Sequence, residues 1–577
     1  MPKAAVRFKY LRQSLGGAWL PLFGLTAWHA TAHAYEPTNA GSLLRQNPEL
    51  KQGVGVEPGM VPAMPGEPSN SHEAKPDSGE FTFPVYGFDF GGALSDEEQQ
   101  RVDEFLAPWR GRNVTLSQLR LLRDALTTVL YHGGDSLVRV ILPPQTMTVG
   151  IVHFEIARGH VESVNVENHS DVATDRLREI IESTHDGAPS LRDIERNTRL
   201  VEGIPGIDST ASTLSAGTEP GGTIVTVDVV PGKRFYGAAV MDNAGSRQAG
   251  WRRVGLTGGI NNPLGLGDQL QATVYATPRF MQMRGGQDGR TRLGRISYDM
   301  LTGLGASRAG VAYSHVDYRL GGIFAGLGTG AANVVSIYGS SPLIRSDAAS
   351  LDVGAGLDFK RSSDERFGDI LRTDQRSVVA SVRAEGVAAG EIGERRNVIQ
   401  YSAVLSRGTS KLREADYSGS APALNGRRFD FYKAEPSFAY VQAITPTIRA
   451  TIQVRGQYAS RSLDSQERMG LGGPLAVRAY DQNAASVDDG LILSIAASKS
   501  LSMLPGASVQ VFYDDARGRT RADGPMPAAY ARLQGYGIGA SYGGKGVAAQ
   551  LSYAMRAGRP LAQTARQQTW VTVSATF

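Results

Sequence analysis

From residue 233 to its C-terminus this chain of 577 residues loses all helical periodicity, and apolar residues alternate with polar ones over long stretches. In "SLDVGAGLDFKR", Leu351, Val353, Ala355, Leu357 and Phe359 alternate with Asp352, Gly354, Gly356, Asp358 and Lys360. In "TIRATIQVRGQYAS", Ile448, Ala450, Ile452, Val454 and Tyr458 alternate with Arg449, Thr451, Gln453, Arg455 and Gln457. "NVIQYSAVLSRG" and "GVAAQLSYAMR" do the same. A period of two is the period of a strand. A soluble sandwich also alternates, but these strands run to about ten residues. Their polar faces carry Arg, Asp and many Gly, and no helices remain to cover the apolar faces. A closed membrane barrel accounts for this, with apolar residues facing lipid, polar residues facing water and no free edge. About 345 residues at about 21 per strand and loop predict roughly sixteen antiparallel strands. A barrel of that width has an aqueous lumen unless something fills it.

Composition is compatible with that reading. Net charge is only +4 with 20% charged residues, too balanced to point to nucleic acid despite a sequence pI near 9.0. There is no cysteine, which excludes a disulfide scaffold and thiolate metal sites. Mean hydropathy is −0.22, and no internal apolar run reaches the roughly 18 residues of a transmembrane helix. Barrel strands leave no such signal.

The N-terminus reads as a signal peptide over 1–34: Lys3, Arg7, Lys9 and Arg12, then "SLGGAWLPLFGLTAWHA", then an Ala32-His33-Ala34 cleavage site. Within 35–50, "TNAGSLLRQNPEL" predicts a short helix. Residues 51–80, rich in Pro, Gly and polar residues without periodicity, predict a linker.

Between 81 and 232 two α+β modules follow one another. In 81–158, "FTFPVYGFDF" predicts a strand, and Ser95 with Glu98 predicts a capping box at the start of a helix. "TLSQLRLLRDALTTVLYHGG" predicts a second helix with Leu116, Leu119, Leu122, Leu126 and Val129 on one face and Gly133 as its stop. Two strands, "SLVRVIL" and "TMTVGIVHFEIARG", follow across a Pro-Pro turn. In 159–232 the order recurs: "HVESVNVEN", the helices "VATDRLREIIEST" and "SLRDIERNTRLVEGI", then the strands "STASTLSAG" and "GTIVTVDVVPG". The repeat is one of pattern rather than of letters.

"MGLGGPLAVRAYDQN" looks at first like a phosphate loop. It is neither G-x-G-x-x-G nor G-x-x-x-x-G-K-[ST], and no βαβ unit surrounds it. "GLGTG" at 326–330 has no lysine or helix after it and reads as a flexible surface loop. The nine histidines show no paired-ligand spacing and no G-x-S-x-G elbow is present. The sequence therefore predicts no enzyme, no metal and no cofactor. What remains unexplained is Arg478, between Val477, Ala479 and Tyr480.

A signal peptide, two α+β modules and a barrel of this size resemble the two-partner secretion transporters, the TpsB family of filamentous hemagglutinin and hemolysin secretion. These belong to the POTRA-bearing superfamily, which also contains the barrel-assembly proteins. The likeness runs from about residue 80 to 577. Pro143-Pro144-Gln145, with Gly150 and Gly159, resembles the end of a first POTRA domain. "LVEGIPGI" with "GTEPGGTIVTVDV" is similar to the helix-to-strand passage of a second. "MDNAGSRQAG" and "NNPLGLGDQL" resemble the first barrel hairpin. Pro342, Leu343, Ile344, Arg345 and Ser346 resemble a further signature, and "AGSLLRQ" the mature start of many members. A terminal aromatic on an amphipathic strand, here Phe577, resembles the insertion signal of outer-membrane barrels.

Gly472-Gly473 and Val477-Arg478-Ala479-Tyr480 resemble the family motif at the tip of an extracellular loop, 466–485 here, that folds back into the barrel. Ala479 stands where the family has glycine, which is tolerable only if the backbone does not need φ > 0. Phe512 and Asp514 in "VQVFYDD" resemble the family's Phe-x-Asp, whose carboxylate pairs with the loop arginine. The alternation places Gln510, Phe512 and Asp514 on the lumen side. The resemblance implies an outer-membrane transporter with its POTRA domains in the periplasm. It implies export of a large, unfolded secreted partner of adhesin, hemolysin or toxin type, recognised by the POTRA domains. It also implies a possible lumen plug in the 35–50 helix, and contact with outer-membrane lipid and the barrel-assembly machinery. The alternative is a barrel-assembly or insertion factor, although such proteins usually carry more POTRA domains than two.

Overall fold

The computed structural model describes residues 38–47 and 82–577, apart from 133–136, 146–149, 185–188, 220, 279–288, 304, 368–370, 394, 417–426, 483, 523–526 and 559–564. The expected signal peptide and linker, and Gly133, lie outside the described residues.

The chain opens with helix α1 (Ala40–Gln46), capped reciprocally by Asn39 and Ser42. The first module follows: β1 (Thr82–Val85), β2 (Gly87–Gly91), α2 (Asp96–Leu106), β3 (Arg112–Thr115), α3 (Leu116–His132), β4 (Val138–Ile141) and β5 (Ile151–Arg158). "FTFPVYGFDF" is thus two short strands broken at Tyr86. Residues 112–115 add a strand that sequence reading passed over; it pairs with β1. Ser95 and Glu98 form the expected capping box. Glu98 also accepts from Arg158 of β5 at 2.8 Å.

The buried face of α3 is Leu119, Leu122, Leu126 and Leu130, packed on Val140, Val152 and Phe154. Leu116 is exposed and Val129 only half-buried, a correction to the expected face. The true stripe advances by three, four and four residues, as an α-helix requires, rather than ending on a step of three. Truncating a core leucine such as Leu126 to alanine costs about 2–5 kcal/mol.

The second module comprises β6 (His160–Asn168), α4 (Thr174–Ile181), α5 (Leu191–Glu202), β7 (Ile207–Ala216) and β8 (Gly222–Pro231). Its sheet order is β6-β8-β7, and that of the first module is β2-β5-β4. In each, two helices cover one face of a three-stranded sheet.

The remaining strands are β9 (Phe235–Asp242), β10 (Arg253–Asn261), β11 (Gln269–Ala276), β12 (Arg290–Leu301), β13 (Arg308–Arg319), β14 (Gly328–Arg345), β15 (Ala349–Arg366) and β16 (Leu371–Ile392). They continue as β17 (Arg395–Asp416), β18 (Arg427–Ala443), β19 (Ile448–Ala459), β20 (Met469–Gly470), β21 (Ser486–Val487), β22 (Asp489–Ser500), β23 (Ala507–Thr520), β24 (Ala529–Gly544), β25 (Val547–Ala557) and β26 (Gln567–Thr576). All but the short β20–β21 pair close into one antiparallel barrel, sealed by β26 against β9. Sixteen strands stand in the wall, the number the chain length predicts. Their lengths run from 8 to 22 residues rather than staying near ten, because β14 to β18 extend beyond a lipid-spanning length of about 9–11 residues. Gly328–Gly330 belong to β14, so "GLGTG" is half strand and not a surface loop.

The alternation sets the two surfaces. Ile452, Tyr458, Val378 and Val382 are exposed on the outside, while Thr451, Gln457, Gln375 and Ser377 are buried inside. Turns on the side of the modules are short. Lys545 and Gly546 both take positive φ in a two-residue hairpin between β24 and β25, the geometry that matches strand twist. The second module sits on this rim. Leu301 of β12 is buried in that module's own core beside Ile204 and Ile207. The Ala173 N–H donates to the Gly265 carbonyl at 3.1 Å, and Arg199 pairs with Asp347 in the β14–β15 turn.

Candidate functional site

The connection between β19 and β22, residues 460–488, comes from the rim opposite the modules and turns inward. Its shank is the β20–β21 pair, Met469 opposite Val487 and Gly470 opposite Ser486. The tip is a compact turn. The Gly473 N–H donates to the Tyr480 carbonyl at 3.0 Å, and the Val477 N–H to the Leu471 carbonyl at 3.0 Å. Gly473 has φ +113°, open only to glycine, and an added Cβ would stand 2.8 Å from the Gln482 side chain. Leu471, Val477, Ala479 and Tyr480 are buried against Ile492, Phe512 and Leu533 of the wall.

The structure brings the predicted residues Arg478, Phe512 and Asp514 together. Arg478 donates from Nε to Asp514 Oδ2 at 3.0 Å, from Nη2 to Oδ1 at 2.7 Å and from its backbone N–H to Oδ2 at 3.1 Å. Its guanidinium lies over the Phe512 ring, 3.3 Å from the centroid. A bidentate guanidinium–carboxylate pair stacked on a ring fixes orientation as well as charge. Asp514 has no exposed side-chain surface and Arg478 keeps 13%.

Two partners were missed from sequence. The Ser494 hydroxyl accepts from Arg478 Nη2 at 3.0 Å and donates to Asp514 Oδ1 at 2.8 Å. Trp570 Nε1 donates to the Arg478 carbonyl at 2.7 Å, tying the tip to the last strand. Trp570 falls on the inward parity of β26, opposite the outward Val571 and Val573. A tryptophan turned towards a polar lumen was the available signal.

Ala479, the departure from the family pattern, is fully buried and is not among the described residues with positive φ. Its methyl lies over Gly535 of β24, where an added Cβ would come within 2.5 Å of it. The wall supplies the space that a loop glycine would otherwise provide.

A second anchor holds the shank. The Glu467 carboxylate is buried between Lys360 Nζ of β15 at 2.7 Å and Lys433 Nζ of β18 at 2.9 Å. Beside it lies α1. Ala40, Leu43 and Leu44 pack on inward-facing Tyr275, Leu293, Val316 and Tyr318. The Ala40 N–H donates to Asp364 at 2.8 Å, and Arg45 Nη1 to the Ser465 carbonyl at 3.0 Å. Asn47 is bonded to Arg253, which itself pairs with Asp242 at 2.8 Å. Gly41 faces Ser465 and Gln466 so closely that any Cβ would collide with the Ser465 hydroxyl. Helix and loop therefore lie in contact inside the barrel.

The other predicted residues sit elsewhere. Gln145 accepts the His153 N–H at 2.8 Å and donates to the His153 carbonyl at 2.7 Å. With Pro143 and Pro144 it extends the first module's sheet by a side chain. Pro342 to Arg345 form the end of β14 and Ser346 begins the turn after it, with a register shift between Pro342 and Ile344 that leaves Leu343 unpaired. There Arg345 grips both oxygens of Asp352 at 2.9 Å, and Ser346 caps the turn that carries Asp347. Phe577 is exposed, its backbone paired with Gly237 at the closing seam.

A sixteen-stranded outer-membrane barrel with N-terminal α+β modules and an arginine-anchored inward loop defines a two-partner secretion transporter. Residues 221–542 match the haemolysin secretion/activation proteins ShlB/FhaC/HecB, and the chain belongs to that family. Residues 83–159 match the POTRA domain of ShlB type. The chain is 23% identical to the heme/hemopexin transporter protein HuxB of Haemophilus influenzae, over 81% of this chain and 82% of that one. In fold it is similar to CdiB from Escherichia coli, with TM-score 0.64, 20% identity and coverage of 88% and 93%. It is less similar to a BamA from Haemophilus ducreyi lacking POTRA domains 1–3, with TM-score 0.52, 12% identity and coverage of 86% and 100%.

Proposed function

We propose that both α+β modules are POTRA domains and together capture an extended segment of one large secreted exoprotein, which crosses the lumen unfolded and folds outside. In the β6-β8-β7 sheet, β7 is bonded only on its β8 side among the described residues, and such an edge supports capture by strand addition. Helix α1 is the resting plug, with 51–80 as its tether. Arg478 and Asp514 hold the loop tip at the wall while the path beside it opens and closes. Phe577 addresses the chain to the barrel-assembly machinery. The exoprotein's type follows the relatives only in outline: an adhesin, hemolysin, toxin or haem-scavenging protein.

The observation that carries this reading is the joint occupancy of the lumen by α1 and the loop, both held by side-chain contacts that lie outside the wall's strand pairing. The test is single-channel conductance of the full-length protein against a variant lacking residues 38–47, with exoprotein secretion measured in cells. The reading expects higher conductance in the variant and client-specific secretion by the intact protein. Export of unrelated proteins, or insertion of other barrels as the principal activity, would favour the assembly-factor reading.

A further inference from the structure

On the outer surface, four neighbouring strands place cations in direct cross-strand register. Arg361 of β15 pairs with Arg376 of β16, Arg376 with Lys411 of β17, and Lys411 with Arg428 of β18. All four side chains are exposed. Facing residues on adjacent strands stand about 5 Å apart, and like charges so placed repel. Among the described residues none of the four has an ion pair. The carboxylates nearest in register are engaged elsewhere: Asp374 faces Arg372 at 3.6 Å and Asp430 accepts from Thr409 at 2.5 Å.

The height of the row is set by the same registers. One step towards the modules the row holds Phe359 and Val378 with Asp430 at its end, and the next step holds Tyr432 with the Arg407 guanidinium over its ring. Aromatic residues on a barrel exterior mark the membrane interface. The row therefore lies just beyond the hydrocarbon edge, on the side away from the POTRA modules. That is the head-group level of the outer leaflet.

We propose that Arg361, Arg376, Lys411 and Arg428 form a binding site for the phosphate groups of an anionic outer-leaflet glycolipid, the lipid A portion of lipopolysaccharide. The inference rests on the barrel's orientation and not on the transport reading. Unneutralised, the row is four repelling charges. With phosphates between them, each guanidinium gains a charge-assisted, bidentate partner, while the acyl chains lie along Phe359, Val378 and Val382. The row then fixes a lipid against β15–β18, four of the five longest strands of the barrel.

The test titrates delipidated full-length protein in detergent with bisphosphorylated lipid A, the same lipid A dephosphorylated, and inorganic phosphate, following lipid occupancy by native mass spectrometry. Wild type is expected to prefer the bisphosphorylated lipid by about tenfold or more, with the preference falling as salt rises. Arg376→Gln/Lys411→Gln is expected to abolish the preference. Lys411→Arg and the distant Arg395→Gln are expected to keep it. Equal binding of the dephosphorylated lipid, or an unchanged preference in the double variant, overturns the site. Inorganic phosphate competing at the concentration of lipid A would make it an ion site only. Secretion lost with lipid binding intact would reassign the row to the exoprotein.

Discussion

Arg478 and Asp514, on a loop tip and on the barrel wall, are joined by three hydrogen bonds from one residue to both oxygens of the other. The carboxylate is fully buried, so its charge is supported by Arg478 and Ser494 rather than by water. Breaking one side of such a pair strands the other, at about 3–5 kcal/mol. Asp514→Asn and Arg478→Ala are expected to leave the barrel folded, as judged by heat-modifiable migration, while the tip becomes protease-sensitive and secretion falls. Arg478→Lys is expected to fail as well, because an ammonium cannot bridge both oxygens and stack on Phe512. Wild-type secretion by Arg478→Ala would remove the anchor from the account.

Ala479 and Gly535 form a second matched pair. Gly535→Ala is expected to undock the tip, and Ala479→Gly to restore it, giving a double-mutant coupling of about 1 kcal/mol or more. The measurement is protease sensitivity of the loop in all four combinations. Additive effects would mean that the two positions do not meet.

Among the contacts that join the second module to the barrel are an apolar one, Leu301 in the module's core, and an ionic one, Arg199 with Asp347, and their magnitudes differ. Asp347 is 88% exposed, and an exposed pair is worth about 0–1 kcal/mol. Leu301 is 3% exposed, and its truncation to alanine costs about 2–5 kcal/mol. Hydrogen exchange in the 302–307 turn is expected to rise strongly in Leu301→Ala and barely in Asp347→Asn. The reverse order would mean the module is held by charge.

Glu98 gives the first module a pH dependence. Burial raises its pKa, but the Ser95 backbone N–H and the Arg158 guanidinium outweigh burial and hold it below the ordinary value of 4.5. A depressed folded-state pKa adds stability that is complete above the unfolded value and fades as pH falls towards the folded one. Glu98→Gln is therefore expected to destabilise the module at neutral pH and to converge with wild type in acid. Urea-dependent proteolysis of the module in the full-length protein, from pH 7 downwards, reads this out; parallel curves at every pH would contradict it.

Much of this architecture is legible in the sequence because its signals are local. The period of two assigns Ile452 and Phe359 to lipid and Thr451 to the lumen before any fold is known, and chain length sets the strand number. The capping residues Ser95 and Glu98 mark a helix start by spacing alone. What is not legible depends on register between distant strands. Glu467 meets Lys360 and Lys433 only because the loop re-enters the barrel. Trp570 reaches Arg478 only because β26 closes beside it. The row from Arg361 to Arg428 appears only once four strands are aligned. The face of α3 was misjudged at Leu116 and Val129 because leucines crowd that helix on several sides.

The proposed path of the exoprotein runs through the lumen now occupied by α1. The chain has no cysteine, so Gly41→Cys with Ser465→Cys, in which the hydroxyl that a Cβ at position 41 would meet gives way to the bonded sulfur and the Gln466 side chain must turn aside, introduces a single possible disulfide between plug and loop. Secretion of the exoprotein, measured in oxidised cells with cross-linking verified on the same samples, is predicted to stop and to return on reduction. Secretion at the wild-type rate with the cross-link fully formed would contradict the account.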